Sequence, residues 1–235
     1  MRRHQQIIVR GKSRSPHQHA AQSPRAVARV ARLSKRARIE PRSQRLPFVP
    51  PEDWHEPVED GSAYRVIVQA AGEGFRHVVT PEEVRQRLAQ LPPRYLANLE
   101  VVQFSRMTRK KQSFPCYGLQ WGTTVYLYPI ETNLIEYYPQ PPKPSQLVEA
   151  RMYGGRWEEY ARGLWRLVWS EAAIKDFYLN NILIHELGHL HDDRNNRSVD
   201  RERYAEWFAL EHGYRATQHL RQPAKKEVRR RHHAK

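Results

Sequence analysis

Five consecutive residues, His185-Glu186-Leu187-Gly188-His189, combine reactive side chains with a spacing that lets them act together. Positions i and i+4 lie one above the other on a helix, so both imidazoles can reach a single metal ion. Imidazole suits zinc, which in open sites keeps three protein ligands and one position for water. Glu186, one residue round from His185, can hold that water and take its proton as general base. The five residues sit in an apolar run, Phe177 to Leu190, that includes Ile182, Leu183 and Ile184. A half-buried helix with two histidines and a glutamate needs partners for its polar groups, and a metal supplies them.

A third ligand must come from another element. Beyond the polar stretch 192–197, Ser198 is a predicted N-cap. The helix it opens reads V-D-R-E-R-Y-A-E-W-F-A-L-E-H, with Gly213 as its predicted C′ residue. On this helix Glu202 and Glu206 are one turn apart beside the small residues Ala205 and Ala209. That small face predicts close approach to the first helix at Gly188. Arg201 and Arg203 are alternative partners for the two glutamates on a solvated face. Asp192, Asp193 and His191, at the end of the first helix, are alternative third ligands.

H-E-x-x-H followed by E-x-x-x-D/E on a later helix resembles the gluzincin arrangement of zinc metallopeptidases. Glu202-Arg203-Tyr204-Ala205-Glu206-Trp207-Phe208-Ala209 is similar to the E-x-x-A-N-x-F-A stretch of ImmA/IrrE-type peptidases, with Glu206 where Asp or Asn is usual. The resemblance covers about residues 170–214. It implies His185, His189 and Glu202 as zinc ligands, Glu186 as base, and Glu206 as the acid that hydrogen-bonds a ligand histidine. It also implies a zincin-like α+β domain whose edge strand binds substrate backbone by strand addition.

The chain divides by charge. Residues 1–46 hold 13 Lys/Arg and one acid, and residues 215–235 hold eight Lys/Arg and one acid. The formal charge of +15 therefore belongs to the ends, and the stretch 47–214 is mildly acidic. The expected organisation is a basic tail over 1–46, a zincin-like domain over 47–220 and a basic tail over 221–235. The tails are too poor in large apolar residues to fold alone and are expected to be disordered. They suit nucleic acid through phosphate contacts, without base stacking, since no aromatic residue precedes Phe48. An Arg-rich, nearly acid-free N-terminus also suits an organellar transit peptide. No apolar run reaches 18 residues, so no membrane span is expected. Cys116 is alone, which excludes a disulfide framework, fits a cytoplasmic setting and predicts a buried small residue.

Within the domain, 47–60 reads as an extended linker. Tyr64–Gln69 reads as a strand, with Phe75–Val79 pairing onto it. Thr80-Pro81-Glu82-Glu83 has capping-box spacing with Pro at N1, starting a helix that Pro92-Pro93 ends. Leu99–Phe104 and Thr123–Tyr128 read as strands, the latter the candidate substrate-binding strand. Arg106–Lys111 reads as a basic turn and Tyr137–Pro144 as a loop. Trp157–Trp169 reads as a helix, and Ser170 as the cap of the metal helix. The chemistry expected is zinc-dependent hydrolysis of a protein or peptide substrate. Tyr214 and His212, just past the second helix, are candidate oxyanion donors.

Overall fold

The computed structural model describes residues 52–56, 64–108, 111–112 and 116–221. The predicted tails, apart from Arg221, lie outside the described residues. These residues form a mixed α/β structure with small sheets. The main sheet has the order β1 (Arg65–Val68), β3 (Val101–Phe104), β5 (Thr124–Leu127), β4 (Gly118–Trp121). β1, β3 and β5 are parallel, and β4 closes one edge antiparallel, with Gly118 opposite Leu127 and Trp121 opposite Thr124. This is the small mixed sheet expected from sequence. All four residues of β3 and all four of β5 are buried, as for strands covered on both faces.

Helices cover one face. α1 (Pro81–Ala89) starts with the predicted capping box: Thr80 Oγ1 accepts from Glu83 N–H (3.2 Å), and Glu83 Oε2 accepts from Thr80 N–H (2.8 Å). Val84 and Leu88 on α1 pack with Val102, Phe104, Val125 and Leu127 from the sheet. The other face carries polar and aromatic groups and is covered by Glu52–Glu56. Tyr126 hydroxyl donates to the Asp53 carbonyl, Tyr128 hydroxyl to Glu52 (both 2.8 Å), and Gln69 to Asp53 Oδ2 (2.9 Å). The His55 ring bonds Gln103 and stacks on Tyr126. Lys111 pairs with buried Glu52 at 2.6 Å. The predicted linker is thus, over these residues, a strap that buries Gln103 and Ser105 on the sheet.

Three expectations give way here. Phe75–Arg76 (β2) pairs antiparallel with β6 (Ile130–Glu131) instead of β1, as Gly72 and Gly74, at φ +103° and +79°, turn the chain away. Tyr137 and Tyr138 are not loop but end strand β7 (Ile135–Tyr138), and Pro144 is N1 of helix α2 (Pro144–Met152). Trp157–Trp169 is a hairpin, not a helix: β8 (Arg156–Ala161) and β9 (Leu164–Val168) turn through Gly163 at φ +73°. Its apolar positions fit either period. What decides is pairing, since Glu158 stands opposite Arg166 and binds it at 2.6 Å, and β9 pairs with β7 on its other side.

The helices that carry the motif are long rods with a π-helical turn in each. Ser170 caps α3 (Glu171–Phe177) through Ala173 N–H. The rod continues through a π turn (Tyr178–Ile182) into α4 (Leu183–His191). α5 (Ser198–Ala209) likewise runs into a π turn (Leu210–Arg215), followed by the short α6 (Gln218–Arg221). Ser198 is the first helical residue and not the cap, which falls on Arg197 without a side-chain bond. Gly213 does not end the helix. It lies where the two π turns meet, and a Cβ there would stand 1.9 Å from the Asn180 carbonyl oxygen. Buried Arg87 of α1 joins both turns, donating to Asn180 Oδ1 and to the His212 carbonyl. Gly188 acts as its spacing implies: a Cβ there would meet Ala205 Cα at 2.9 Å and Phe208 Cβ at 3.0 Å. The meeting pairs Asn180–Gly213, Gly188–Ala205 and His189–Glu202 run in opposite directions, so the rods are antiparallel.

Candidate metal centre

α4 and α5 bring His185, His189 and Glu202 together, with one potential ligand atom from each inside a 4.8 Å triangle. Glu202 Oε2 lies 3.6 Å from His185 Nε2 and 3.7 Å from His189 Nε2. Those separations are long for charge-assisted hydrogen bonds, which run about 2.7–2.9 Å. They fit a shared cation, since ligand atoms about 2.0–2.2 Å from one zinc stand roughly 3.3–3.6 Å apart. Glu202 Oε2 is moreover buried with no hydrogen-bond partner, a costly state for a carboxylate oxygen unless something positive sits beside it. The donor set, two imidazoles and a carboxylate, is one that zinc takes.

Electrostatics agree. Burial by itself would raise the Glu202 carboxyl, but the two histidines outweigh it and hold the group well below its ordinary range. Burial by itself would lower His185, but Glu202, then Glu186 and Glu149, hold it above its ordinary 6.5. Glu149 reaches the centre from α2, where it accepts a hydrogen bond from Asn181, one turn before His185 (2.7 Å).

The alternative ligands are committed elsewhere. Asp192 is buried, and its Oδ1 accepts from the backbone of Arg194 and Asn195 and from the Asn195 side chain. Asp193 is exposed, and the His191 ring packs edge-on against Tyr95. Glu206, the predicted support for a ligand histidine, is exposed on α5. The His212 ring packs against Tyr95 and Phe208 at 4.7 and 4.5 Å in an aromatic cluster. Tyr214 packs edge-on against Tyr153.

Glu186 is buried and lies against the sheet. A Cβ at Gly118 would meet Glu186 Cγ at 2.9 Å and Ile182 Cγ2 at 2.7 Å, so only glycine lets the strand approach this closely. That strand is β4, and it is the edge of the sheet beside α4. The predicted substrate strand, Thr123–Tyr128, lies inside the sheet as β5 with neighbours on both sides. Arg201 ties β4 to the helices by donating to Gln120 Oε1 (3.4 Å) and to the His189 carbonyl (3.0 Å). Gly118, Gln120 and Glu149 were missed from sequence. Gly122 at φ +61° between two apolar-polar alternations was the available sign of a β4–β5 hairpin. Cys116, predicted buried, is exposed as a residue, yet crowding at its sulfur and the nearby Glu186 carboxylate push the thiol up to about 12. No helix among the described residues is long and apolar enough to cross a membrane. Comparisons with protein-family models, with curated proteins and with solved structures found no match.

Proposed function

We propose that this chain is a zinc-dependent peptidase with a gluzincin-like domain, acting on a protein or peptide substrate. The observation that carries the metal is Glu202 Oε2, buried without a hydrogen-bond partner between two imidazole nitrogens. The observation that favours catalysis over a purely structural centre is Glu186, a carboxylate beside the centre that is not needed as a ligand.

His185, His189 and Glu202 would hold the ion, and zinc bound there supplies Lewis-acid activation of water and of a carbonyl. Glu186 accepts the proton of the attacking water and delivers it to the leaving amine. Its place against Gly118 limits its freedom, so the base stays aimed. β4 offers the unpaired backbone groups of an edge strand, to which an extended peptide can add. Tyr214 is the candidate hydrogen-bond donor to the developing oxyanion. A cytoplasmic setting fits this reading.

Metal analysis and peptide hydrolysis on the full chain test it. Wild type should carry about one zinc and cleave an unfolded protein substrate. Glu186→Gln should keep the zinc and lose hydrolysis by about 100-fold or more. A folded chain that takes up no metal sinks the proposal. Zinc uptake without hydrolysis in wild type leaves a structural centre and removes the enzyme.

A further inference from the structure

We infer that a cationic aromatic surface on the outer side of α5 binds single-stranded nucleic acid by base stacking. Trp207 is about half exposed (48%) and stands at its centre. It lies five residues after Glu202, about 140° round the helix from the metal ligand. Tyr204 sits beside it at 5.4 Å and His212 at 5.9 Å, and Tyr95 extends the cluster from the turn after α1, 4.7 Å from His212. Two guanidinium groups cap the rings: Arg194 over Tyr204 at 5.3 Å and Arg94 over Tyr95 at 4.7 Å.

Arg94 and Arg194 are exposed and make no salt bridge among the described residues, so their charge is available to phosphate. The acids of α5 and its π turn are mostly engaged: Asp200 with Arg197 and Arg203, and Glu211 with Arg215. Exposed Glu206 and Asp193 are the opposing charges at the rim. The chain leaves the π turn at Arg215, three residues after His212, and residues 215–235 carry eight Lys/Arg against one acid. Cations for a phosphate backbone next to an exposed indole are what a single strand needs. A duplex hides its base faces, and an acidic peptide gains nothing from the exposed indole that another apolar group would not give.

The test is binding of a labelled oligothymidine of about 20 nucleotides to the full chain, over a range of salt. Trp207→Ala should weaken binding about tenfold or more at every salt concentration, without changing the slope of log affinity on log salt, because stacking releases no counterions. Trp207→Phe should retain most of the affinity. Trp54→Ala, which removes a tryptophan of similar exposure (59%) on the strap, should change nothing. Arg94→Ala and Arg194→Ala should each lower the slope by about 0.7. Unchanged affinity in Trp207→Ala overturns the inference, as does equal loss in Trp54→Ala. Equal binding of a duplex of the same length, or loss of self-association in place of oligonucleotide binding, also overturns it. None of these outcomes depends on peptidase activity.

Discussion

Replacing Gly188 by alanine asks whether the close approach of the two rods sets the metal centre. The added Cβ would stand 2.9 Å from Ala205 Cα and 3.0 Å from Phe208 Cβ, where ordinary contact begins near 3.4 Å. The nearer atom is backbone, so no side-chain rotation relieves it and the rods must part by about 0.5 Å. Overpacking of this kind costs about 1–3 kcal/mol. Alanine returns up to about 1 kcal/mol through helix propensity. The balance predicts a net loss of about 1 kcal/mol in urea unfolding of the metal-free chain. Glu202 lies one turn before Ala205 and moves with it, away from His185 and His189, to which it is now 3.6 and 3.7 Å. Zinc affinity, read by competition with a chromophoric chelator, should fall about 10–100-fold, as for other changes that misplace a ligand without removing it. A Gly188→Ala chain that is stabilised by about 1 kcal/mol and binds zinc as wild type would refute the reasoning, because propensity would then have won over contact.

Three further outcomes follow from the same geometry. In the metal-free chain, His185 sits above its ordinary 6.5, so its stabilisation is present below that pH and lost as pH rises through the raised value; Glu202 sits below its ordinary 4.5, so its stabilisation is present above that pH and lost as pH falls through the depressed value. Unfolding midpoints with a chelator should therefore favour the interval between those two ordinary values, while the extra stability given by zinc should grow as pH rises past His185, which must lose its proton to ligate; a zinc effect that grows toward acid would contradict this. Arg87→Ala leaves Asn180 Oδ1 and the His212 carbonyl without their buried donor and should lower stability by about 3 kcal/mol, a value that unfolding in urea reads directly and that a loss under 1 kcal/mol would exclude. Gly118→Ala drives a methyl into Glu186 Cγ and Ile182, so hydrolysis should fall while zinc content stays at wild-type level, and loss of zinc instead would mean that β4 supports the ligands and not the base.

What could be read from sequence was whatever a local pattern decides. The i, i+4 histidines and the capping box at Thr80 each act within a few residues of chain, and the glutamate and the small residues of the next helix lie a short connection away, where the structure brings Glu202 to the histidines and Ala205 to Gly188. Readings failed where partners far along the chain decide. Trp157–Trp169 has apolar spacing for either period, and only the pairing of Leu164–Val168 with Ile135–Tyr138 makes it a hairpin. Gly213 looks like a helix stop because glycine is common there, yet its reason is a carbonyl 33 residues earlier, at Asn180. The substrate strand was assigned by apolar strength to Thr123–Tyr128, whereas the edge beside α4 went to the weaker Gly118–Trp121, where glycine is demanded by the glutamate beneath.

The strap at Glu52–Glu56 bears on how the N-terminal region can be matured. Glu52 takes the Tyr128 hydroxyl and the Lys111 ammonium, and Asp53 and His55 occupy Tyr126 and Gln103. A protease that trims the basic N-terminus before Glu52 leaves these bonds intact. One that cuts a few residues later strands half-buried Lys111 and opens the polar face of the sheet whose far edge is β4. Biogenesis of this chain therefore has a boundary at Glu52: a processing site, a fusion junction or an expression start placed beyond it removes these bonds.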